Sequence, residues 1–435
     1  MKKHTISRLL GVSAWLALSG LAGAAAAPVT LRVISQLGTY SQPAGIVEGA
    51  PGLLYFIGGA DIVSVTPRGS IVPLTGFRNP PYIVKSPPVS GANRRIYSSV
   101  ETNGGANSAY AYSVGAAPGY HAYGTQAFSQ AFTQNLPDGN LLTLAYRFSD
   151  ASTYLAKTDP DGNVMPPIYR FPSGERPGTY DNAIYATDGN YYGSSVTADK
   201  SAVYVYRITP SGALTKLLSL PNPVALYLLE AGDGNLYGVT GANTRSQTGT
   251  IFKLTLGGEY TLLHAFRAGA AGNLGRLMEG SDGKLYGAID GSDGSDLYSI
   301  TTSGQYSILY NMRSADGRCP CTLAQGSDGI VYGTALSYGT TGGGTIFALD
   351  AGLPKPAPRV LQFSPTSGTV GTKVRIWGQN LLSASVEFNG MAAKEAYSSG
   401  PNYAWATVPK GAKTGPIEVR TPGGRATTRA SFAVR

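Results

Sequence analysis

Short runs in which apolar and polar residues alternate recur along most of the chain. Residues 250–255 read Thr-Ile-Phe-Lys-Leu-Thr, and residues 61–66 and 296–301 follow a similar pattern. A period of two places every second side chain on the same face, as in a half-buried β-strand. Most runs end at Gly, Pro, Asn or Asp. The pattern therefore predicts an all-β protein of short strands and tight turns.

One unit organises these strands into repeats. It reads Glu-Gly-Ser-Asp-Gly-Lys-Leu-Tyr-Gly at residues 279–287. Close relatives lie at residues 187–193, 231–238 and 325–333, and weaker copies at residues 51–55, 92–97 and 138–142. The seven copies are 42 to 50 residues apart, counted between the residues at the Asp position. A period in that range is typical of a propeller or an array, because solenoid repeats are mostly shorter.

Each regular copy predicts four antiparallel strands. The sixth copy predicts strands over residues 276–279, 285–288, 296–301 and 306–310. Asp-Gly suits the first hairpin, because both central residues of such a turn need positive φ angles. Four strands in a meander form one propeller blade. The copy around residues 84–124 is the least regular, since Pro87 and Pro88 cannot donate hydrogen bonds to a sheet.

The last copy has three predicted strands, over residues 322–325, 331–334 and 345–349, and no fourth. Residues 29–34, which read Val-Thr-Leu-Arg-Val-Ile, precede the first copy as a fourth strand precedes the others. We therefore predict that the N-terminal strand completes the last blade. This pairing closes the ring and removes unpaired strand edges. The predicted fold of residues 29–352 is a seven-bladed β-propeller.

A second, smaller domain follows the repeats. Residues 353–358 read Leu-Pro-Lys-Pro-Ala-Pro, a composition typical of a semi-rigid linker. Residues 359–435 contain short alternating segments with a turn signal about every ten residues, which favours a small β-sandwich.

Two family resemblances follow from these residues. The pattern Gly-Ser-Asp-Gly-x-Leu-Tyr-Gly, followed by Gly-Thr-x-Phe-x-Leu, resembles the GloVer tandem repeats of exported bacterial proteins. That family is defined by its repeats and implies no particular activity. The order of segments in residues 359–435, including Gly-Thr-Lys-Val-Arg-Ile-Trp-Gly, resembles an IPT/TIG immunoglobulin-like domain. That resemblance implies a spacer or interaction module on a secreted protein, by analogy of fold.

The N-terminus has the pattern of a secretory signal peptide. Lys2, Lys3 and Arg8 precede an apolar run over residues 9–21, and small residues follow at positions 24–26. We predict a signal peptide over residues 1–26. The run is shorter than the ~20 residues that a membrane-spanning helix needs. We expect a secreted or periplasmic protein without a membrane anchor.

The net charge of +9 is distributed unevenly along the chain. Residues 29–352 contain 20 Lys and Arg against 22 Asp and Glu, whereas residues 358–435 contain 10 against 3. A nucleic-acid-binding propeller needs a basic face, which the repeats do not offer. We interpret the basic surplus of the C-terminal domain as a solvated surface. We expect a monomer with no nucleic-acid partner.

The repeats offer little catalytic chemistry. No Gly-x-Ser-x-Gly motif occurs, and His121 and His264 are the histidines that remain after the signal peptide. No catalytic triad is predicted. The repeated aspartates occupy turn positions, where Asp stabilises the backbone; they are Asp138, Asp188, Asp233, Asp282 and Asp328. We assign no catalytic residue and expect no cofactor.

Two segments place Asp at alternating positions, as calcium loops do. Residues 159–163 coincide with a predicted turn, so we interpret them as structural. Residues 290–296 are predicted to form a loop between strands, and their capacity to bind calcium stays open. Neither segment has the terminal Glu of an EF-hand, and we assign no metal site.

Tyrosines fall into two groups. One group shares a single position of the repeat and is predicted to form the core between blades: Tyr55, Tyr97, Tyr192, Tyr237, Tyr286 and Tyr332. The other group lies in connections and comprises Tyr40, Tyr82, Tyr180 and Tyr338. Connections opposite the Asp-Gly turns are long and varied, and functional residues concentrate on such loops. We predict ligand binding by Tyr40, Tyr180, Arg245 and Tyr338. The alternative is that these loops only bridge blades.

Cys319 and Cys321 are the two cysteines of the chain and flank Pro320, before the first strand of the last copy. Export favours oxidation, so we expect a Cys319–Cys321 disulfide.

Two functions remain open at this point. The first is a non-enzymatic recognition or scaffold protein, in which propeller loops bind a glycan or an extracellular protein and the immunoglobulin-like domain is a spacer or interaction module. The second is a secreted carbohydrate-active enzyme, a polysaccharide hydrolase or lyase with carboxylates on the propeller loops. We favour the first.

Overall fold

A computed structural model of the protein describes residues 28–38, 43–59, 61–74, 82–102, 107–113, 119–123, 128–147, 149–177, 183–221, 226–241, 249–267, 273–291 and 294–435. For residues 82–86, 100–102, 107–113, 119–123, 128–130, 176, 273–274 and 321 it describes the backbone alone. No helix in the described ranges is long and apolar enough to cross a membrane.

Described residues between 30 and 350 form seven antiparallel sheets of four or five strands each, a β-propeller-like fold. The first three sheets contain the strands Ala44–Ala50, Leu53–Gly58, Asp61–Val65 and Ile71–Pro73; Tyr82–Ser90, Arg95–Thr102, Asn107–Ser113 and Gly119–Tyr123; and Phe128–Asn135, Leu141–Arg147, Ser152–Thr158 and Tyr169–Arg170. The fourth and fifth contain Arg176–Pro177, Ala183–Tyr185, Tyr191–Val196, Ala202–Ile208 and Leu214–Pro221; and Leu226–Glu230, Leu236–Thr240, Thr250–Leu254 and Tyr260–Ala265.

The sixth sheet contains Asn273–Leu274, Met278–Glu279, Leu285–Gly291, Gly294–Ile300 and Tyr306–Met312. The seventh contains Arg318–Gln325, Val331–Ser337, Thr345–Asp350 and the N-terminal strand Thr30–Gln36, and the 3₁₀ helix Ser314–Asp316 precedes it. Thr30–Gln36 pairs antiparallel with Thr345–Asp350. The predicted pairing of the first strand with the last repeat is therefore present.

The Asp-Gly turns are stabilised by the tyrosine of the same repeat. In the sixth sheet, Asp282 Oδ1 accepts the N–H of Lys284 at 3.2 Å, and Asp282 Oδ2 accepts the Tyr286 hydroxyl at 3.0 Å. Gly283 has a positive φ angle, a conformation that favours glycine. Tyr192, Tyr237 and Tyr332 donate to their turn aspartates in the same way. All six repeat tyrosines are buried, which confirms the predicted core position.

The glycine of Leu-Tyr-Gly leaves room for an aromatic ring on the neighbouring strand. A Cβ on Gly333 would lie 2.2 Å from the Phe347 ring, and a Cβ on Gly287 would lie 2.3 Å from the Tyr298 hydroxyl. Any side chain at these positions would displace the ring. The motif therefore combines a turn, a buried tyrosine and a close contact between two strands.

Two buried tyrosines of the sixth sheet provide a matched test of this packing. The Tyr298 hydroxyl is buried without a hydrogen-bond partner among the described residues, whereas that of Tyr286 is bonded to Asp282. An unmade buried hydrogen bond costs about 1–3 kcal/mol. Tyr298→Phe should therefore raise the free energy of unfolding by about 1 kcal/mol, and Tyr286→Phe should lower it by a similar amount. Chemical denaturation measures both, and equal losses in the two variants would contradict the assigned contacts.

Side chains at the ends of the first strands connect neighbouring sheets. Each accepts the N–H of the residue that begins the Asp-Gly turn of the preceding sheet; the pairs are Glu48–Ser327, Gln325–Ser281, Glu279–Gly232 and Glu230–Thr187. The Glu48–Ser327 distance is 2.7 Å, and this pair joins the first sheet to the seventh. Burial raises the pKa of Glu48 and of Glu279. We refer to these four pairs as the inter-sheet clamps.

The C-terminal residues form two further sheets. One contains Arg359–Ser364, Lys373–Gln379, Ala396–Ser399 and Tyr403–Thr407, and the other contains Ser367–Gly368, Ser385–Phe388, Met391–Ala392, Gly415–Thr421 and Gly424–Val434. One apolar core lies between them, with Val374 and Ile376 from the first sheet and Ile417, Val419 and Phe432 from the second. Because alternate residues of each strand face this core, the two sheets pack face to face.

Candidate functional site

Tyr338 is the predicted ligand-binding residue that the structure describes. Its side chain is 50% exposed, and Arg318 Cζ lies 5.5 Å from the centroid of its ring. Arg318 is held by Asp290 Oδ1 at 3.2 Å and by the carbonyl oxygen of Gly291 at 2.6 Å. The carbonyl oxygen of Tyr338 accepts the N–H of Gly344 at 3.0 Å. An aromatic ring on a fixed cation is therefore presented to solvent at the rim opposite the Asp-Gly turns.

The structure does not describe the side chains of the other predicted binding residues. Tyr40, Tyr180 and Arg245 lie outside the described residues, and Tyr82 begins a strand whose first side chains are also outside them. The loop that contains Tyr338 packs on the N-terminal strand, because Gln36 Oε1 accepts the N–H of Thr340 and the N–H of Leu37 donates to Gly344. The loop thus carries both a structural contact and an exposed ring.

The prediction of a loop over residues 290–296 is wrong. Residues 285–291 and 294–300 belong to paired strands, in which Asp290 lies opposite Ser295 and Asp296 lies opposite Ile289. Asp290 is bonded to Ser295 and Arg318, and Asp296 Oδ1 accepts from the side chain of Asn311 at 2.7 Å. The described residues contain no cluster of three or more acidic, His or Cys side chains suited to a metal ion. An arginine thus occupies the position beside Asp290 that a cation would need.

Residues 159–163 form the predicted turn. Asp159 Oδ1 accepts the N–H groups of Asp161 and Asn163, both at 2.9 Å. Hydrogen bonds within the turn lower the pKa of Asp159, although its burial acts in the opposite direction. The structural interpretation of this segment therefore agrees with its contacts.

The strand Arg318–Gln325 begins earlier than predicted and includes both cysteines, next to a bulge between Pro320 and Thr322. Cys319 is half-buried and takes a φ of 57°. The Cys321 side chain lies outside the described part, so the disulfide stays a prediction. His264 is packed between the rings of Tyr306, at 4.1 Å, and Phe266, at 4.7 Å.

A cleft that sequence reasoning missed lies between the Asp-Gly rim and the C-terminal domain. It has a volume of about 330 Å³. Its lining includes six side chains that bear on recognition: Asp138, Lys157, Tyr185, Tyr191, Arg375 and Trp377. We call it the interdomain cleft. Tyr185 contacts both other rings, with centroids 5.4 Å from Tyr191 and 6.0 Å from Trp377.

Charges in the interdomain cleft do not cancel. Asp138 and Lys157 form a pair at 2.6 Å. Burial acts to raise the pKa of Asp138 and to lower that of Lys157, but their mutual hydrogen bond and attraction, together with hydrogen bonds to Asn140 and Tyr191, outweigh it; the pKa of Asp138 is lowered and that of Lys157 is raised. Both groups therefore stay charged. Arg375 is half-buried and forms no ion pair among the described residues; its Nε has no hydrogen-bond partner there, and its Cζ lies 5.8 Å from the centroid of the Trp405 ring.

The cleft exists because the C-terminal domain is docked on the rim. Asn135 Oδ1 accepts the indole N–H of Trp377 at 3.0 Å, and the Tyr403 hydroxyl donates to the carbonyl oxygen of Leu136 at 2.6 Å. Trp405 donates to the carbonyl oxygen of Ala92 at 3.1 Å. The linker is held as well, since the carbonyl oxygen of Pro354 accepts from Ser281 Oγ at 2.6 Å. The Asp-Gly turns thus form a docking surface.

Comparison with known proteins supports the repeat and the fold. The model of the Gloeobacter/Verrucomicrobia repeat matches residues 129–347. A search of curated proteins finds no match. Among solved structures, a streptogramin B lyase is similar over 75% of this chain and 98% of its own, with a TM-score of 0.54 and 18% identity. A catalytically inactive virginiamycin B lyase from Staphylococcus aureus, with quinupristin, is similar over 74% of this chain and 99% of its own, with a TM-score of 0.55 and 15% identity. At such identity the likeness concerns the fold alone.

Proposed function

The chain belongs to the Gloeobacter/Verrucomicrobia repeat family, and we propose that it is an exported, non-enzymatic recognition protein. The seven sheets are the blades of one closed β-propeller, with the N-terminal strand as the fourth strand of the last blade. The C-terminal residues are an IPT/TIG-type immunoglobulin-like domain. The clamp between Glu48 and Ser327 and the pairing of Thr30–Gln36 with Thr345–Asp350 support a closed ring.

The observation that carries recognition is the exposed Tyr338 ring on Arg318. Its position is held by the backbone of its loop and by the Asp290–Arg318 pair. Little conformational entropy is therefore lost when a ligand contacts the ring. A flat apolar face beside a hydroxyl and a guanidinium suits a sugar ring, which has both C–H faces and hydroxyl groups. We propose a glycan as the partner.

The contacts of the carboxylates favour binding over turnover. Four turn aspartates are bonded to their own turns and repeat tyrosines, and Asp138 is bonded to Lys157. Glu48, Glu230 and Glu279 are used in the inter-sheet clamps. A paired acid and base for glycoside cleavage would have to be free to exchange protons with substrate. These side chains have structural partners instead.

The protein without residues 1–26, screened on a glycan array, should bind a limited set of glycans and release no products from them. Tyr338→Ala should weaken binding roughly tenfold, about 1.4 kcal/mol. Tyr260→Ala is the matched control, because Tyr260 is 40% exposed on another sheet. Bound glycans are then incubated with the protein and assayed for reducing ends and for unsaturated products. Release of either would identify an enzyme and refute the proposal.

A further inference from the structure

We propose that the interdomain cleft is a second binding site, which takes a sugar that carries a carboxylate. The site is separate from the Tyr338 surface, so the inference does not rest on glycan binding at that rim. Three observations carry it: a half-buried cation with no ion-pair partner among the described residues, an aromatic wall and a pair of charged groups that can bind hydroxyls.

The Arg375 guanidinium indicates that the ligand is an anion. Asp138 is neutralised by Lys157, and no described carboxylate forms an ion pair with Arg375. The guanidinium is close to the third sheet, since a Cβ on Gly139 would lie 2.7 Å from Arg375 Nη1. Partial burial of a charge that has no ion-pair partner costs free energy. A carboxylate can accept two parallel hydrogen bonds from a guanidinium, and an anionic ligand would thus remove this cost.

Aromatic side chains in the cleft indicate that the ligand also has an apolar face. Tyr185 and Trp377 meet edge to face at an interplanar angle of 65°, and Tyr191 is tilted against Tyr185 by 53°. The wall contains rings from both domains, of which Tyr185 is half-buried and Tyr191 and Trp377 are buried. The volume of the cleft lies at the low end of the usual range for ligand pockets. A sugar residue of a short oligosaccharide fits this space and chemistry, whereas a folded macromolecule does not.

Neighbouring polar groups can hold hydroxyls. Asp138 Oδ atoms are acceptors and Lys157 Nζ is a donor at the wall of the cleft, and Gln362 adds an exposed amide at the side of the C-terminal domain. A simple inorganic anion would use Arg375 but leave the aromatic wall unoccupied. A neutral sugar would use the wall but leave the guanidinium unpaired. A uronic acid residue engages both.

The test is calorimetric titration of the protein without its signal peptide, with trigalacturonate as probe. The neutral galactose trimer, sodium acetate and sodium phosphate are the comparison ligands. Trp377 and Trp405 are the two tryptophans outside the signal region, and Trp377 lines the cleft. A change in tryptophan emission should therefore accompany binding. We expect trigalacturonate to bind at least tenfold more tightly than each comparison ligand. Equal affinity for the neutral trimer, for acetate or for phosphate would overturn the proposal.

Substitutions test whether trigalacturonate binds in the interdomain cleft. Arg375→Gln should weaken trigalacturonate binding at least tenfold, whereas Arg429→Gln, at an exposed arginine of the same domain, should not change it. Gln362→Glu places a competing carboxylate on an exposed residue, so it should preserve the fold and reduce binding. Tyr338→Ala should leave this affinity unchanged, which separates the two proposals. Unchanged binding in both Arg375→Gln and Gln362→Glu would overturn the assignment.

Discussion

A protein that begins at residue 37 should lose most of its free energy of unfolding and aggregate. Thr30–Gln36 contributes six residue pairs to the last sheet, and the buried side chain of Ile34 packs in the core of the first and seventh sheets. Each net hydrogen bond contributes about 0.5–1.5 kcal/mol, and burial of an aliphatic side chain about 1.5–3 kcal/mol. Their sum is comparable to a total stability of about 5–15 kcal/mol.

Deletion also exposes the edge of Thr345–Asp350, a template for pairing with other chains. Light scattering and denaturant unfolding measure both effects. Thr30→Ala is the control, because Thr30 is an exposed residue of the same strand. This substitution should change the free energy of unfolding by less than about 0.5 kcal/mol. A shortened protein that stays monomeric with an unchanged midpoint would show that the ring does not depend on this strand.

The second large effect is expected at Asn135, which connects two sheets to the C-terminal domain. Its side chain is 5% exposed; Nδ2 donates to the carbonyl oxygen of Ser90 and to Asn402 Oδ1, both at 3.0 Å, and Oδ1 accepts from Trp377. Asn135→Ala removes these three hydrogen bonds and leaves the indole N–H of the buried Trp377 without its partner, which alone costs about 1–3 kcal/mol. We expect a loss of about 3 kcal/mol and faster proteolysis of the linker at residues 353–358.

Asn235→Ala is the matched control for Asn135→Ala. The Asn235 side chain donates to Asp233 Oδ2 at 3.0 Å within a turn of the fifth sheet. Its loss should cost less than about 1 kcal/mol and leave the linker as resistant as before. Similar proteolysis of the two variants would mean that Asn135 does not hold the domain.

Local patterns explain which parts of the fold were predictable. The Asp-Gly turns and the repeat tyrosines follow from residues within four positions of each other, as the Tyr286–Asp282 bond illustrates. The pairing of the N-terminal strand followed from a missing strand in the last copy. The loop at residues 290–296 was predicted wrongly because Gly and Asp suggested a turn, whereas hydrogen bonds to Ser295 and Arg318 satisfy Asp290 within a sheet.

Long-range contacts were not predictable from the sequence. The Trp377–Asn135 and Tyr403–Leu136 bonds join residues 242 and 267 positions apart, and neither end carries a local signal. The inter-sheet clamps did have a signal, the Glu or Gln that precedes the turn in four copies, but such a residue at a strand end resembles a solvated one. Tyr338 was predicted as a binding residue from its position in a loop, and nothing in the sequence indicated that Arg318 lies beneath its ring.

The C-terminal domain is docked on the Asp-Gly rim, and the proposed ligand sites are the opposite rim and the interdomain cleft. Trp377 and Trp405 both donate hydrogen bonds across this interface, so their emission reports on it directly. Acrylamide quenching of the native protein without residues 1–26 is the measurement. Docking predicts quenching several-fold weaker than after unfolding, with both tryptophans protected. Strong quenching of the native protein, close to that of the unfolded chain, would show that the C-terminal domain is not docked.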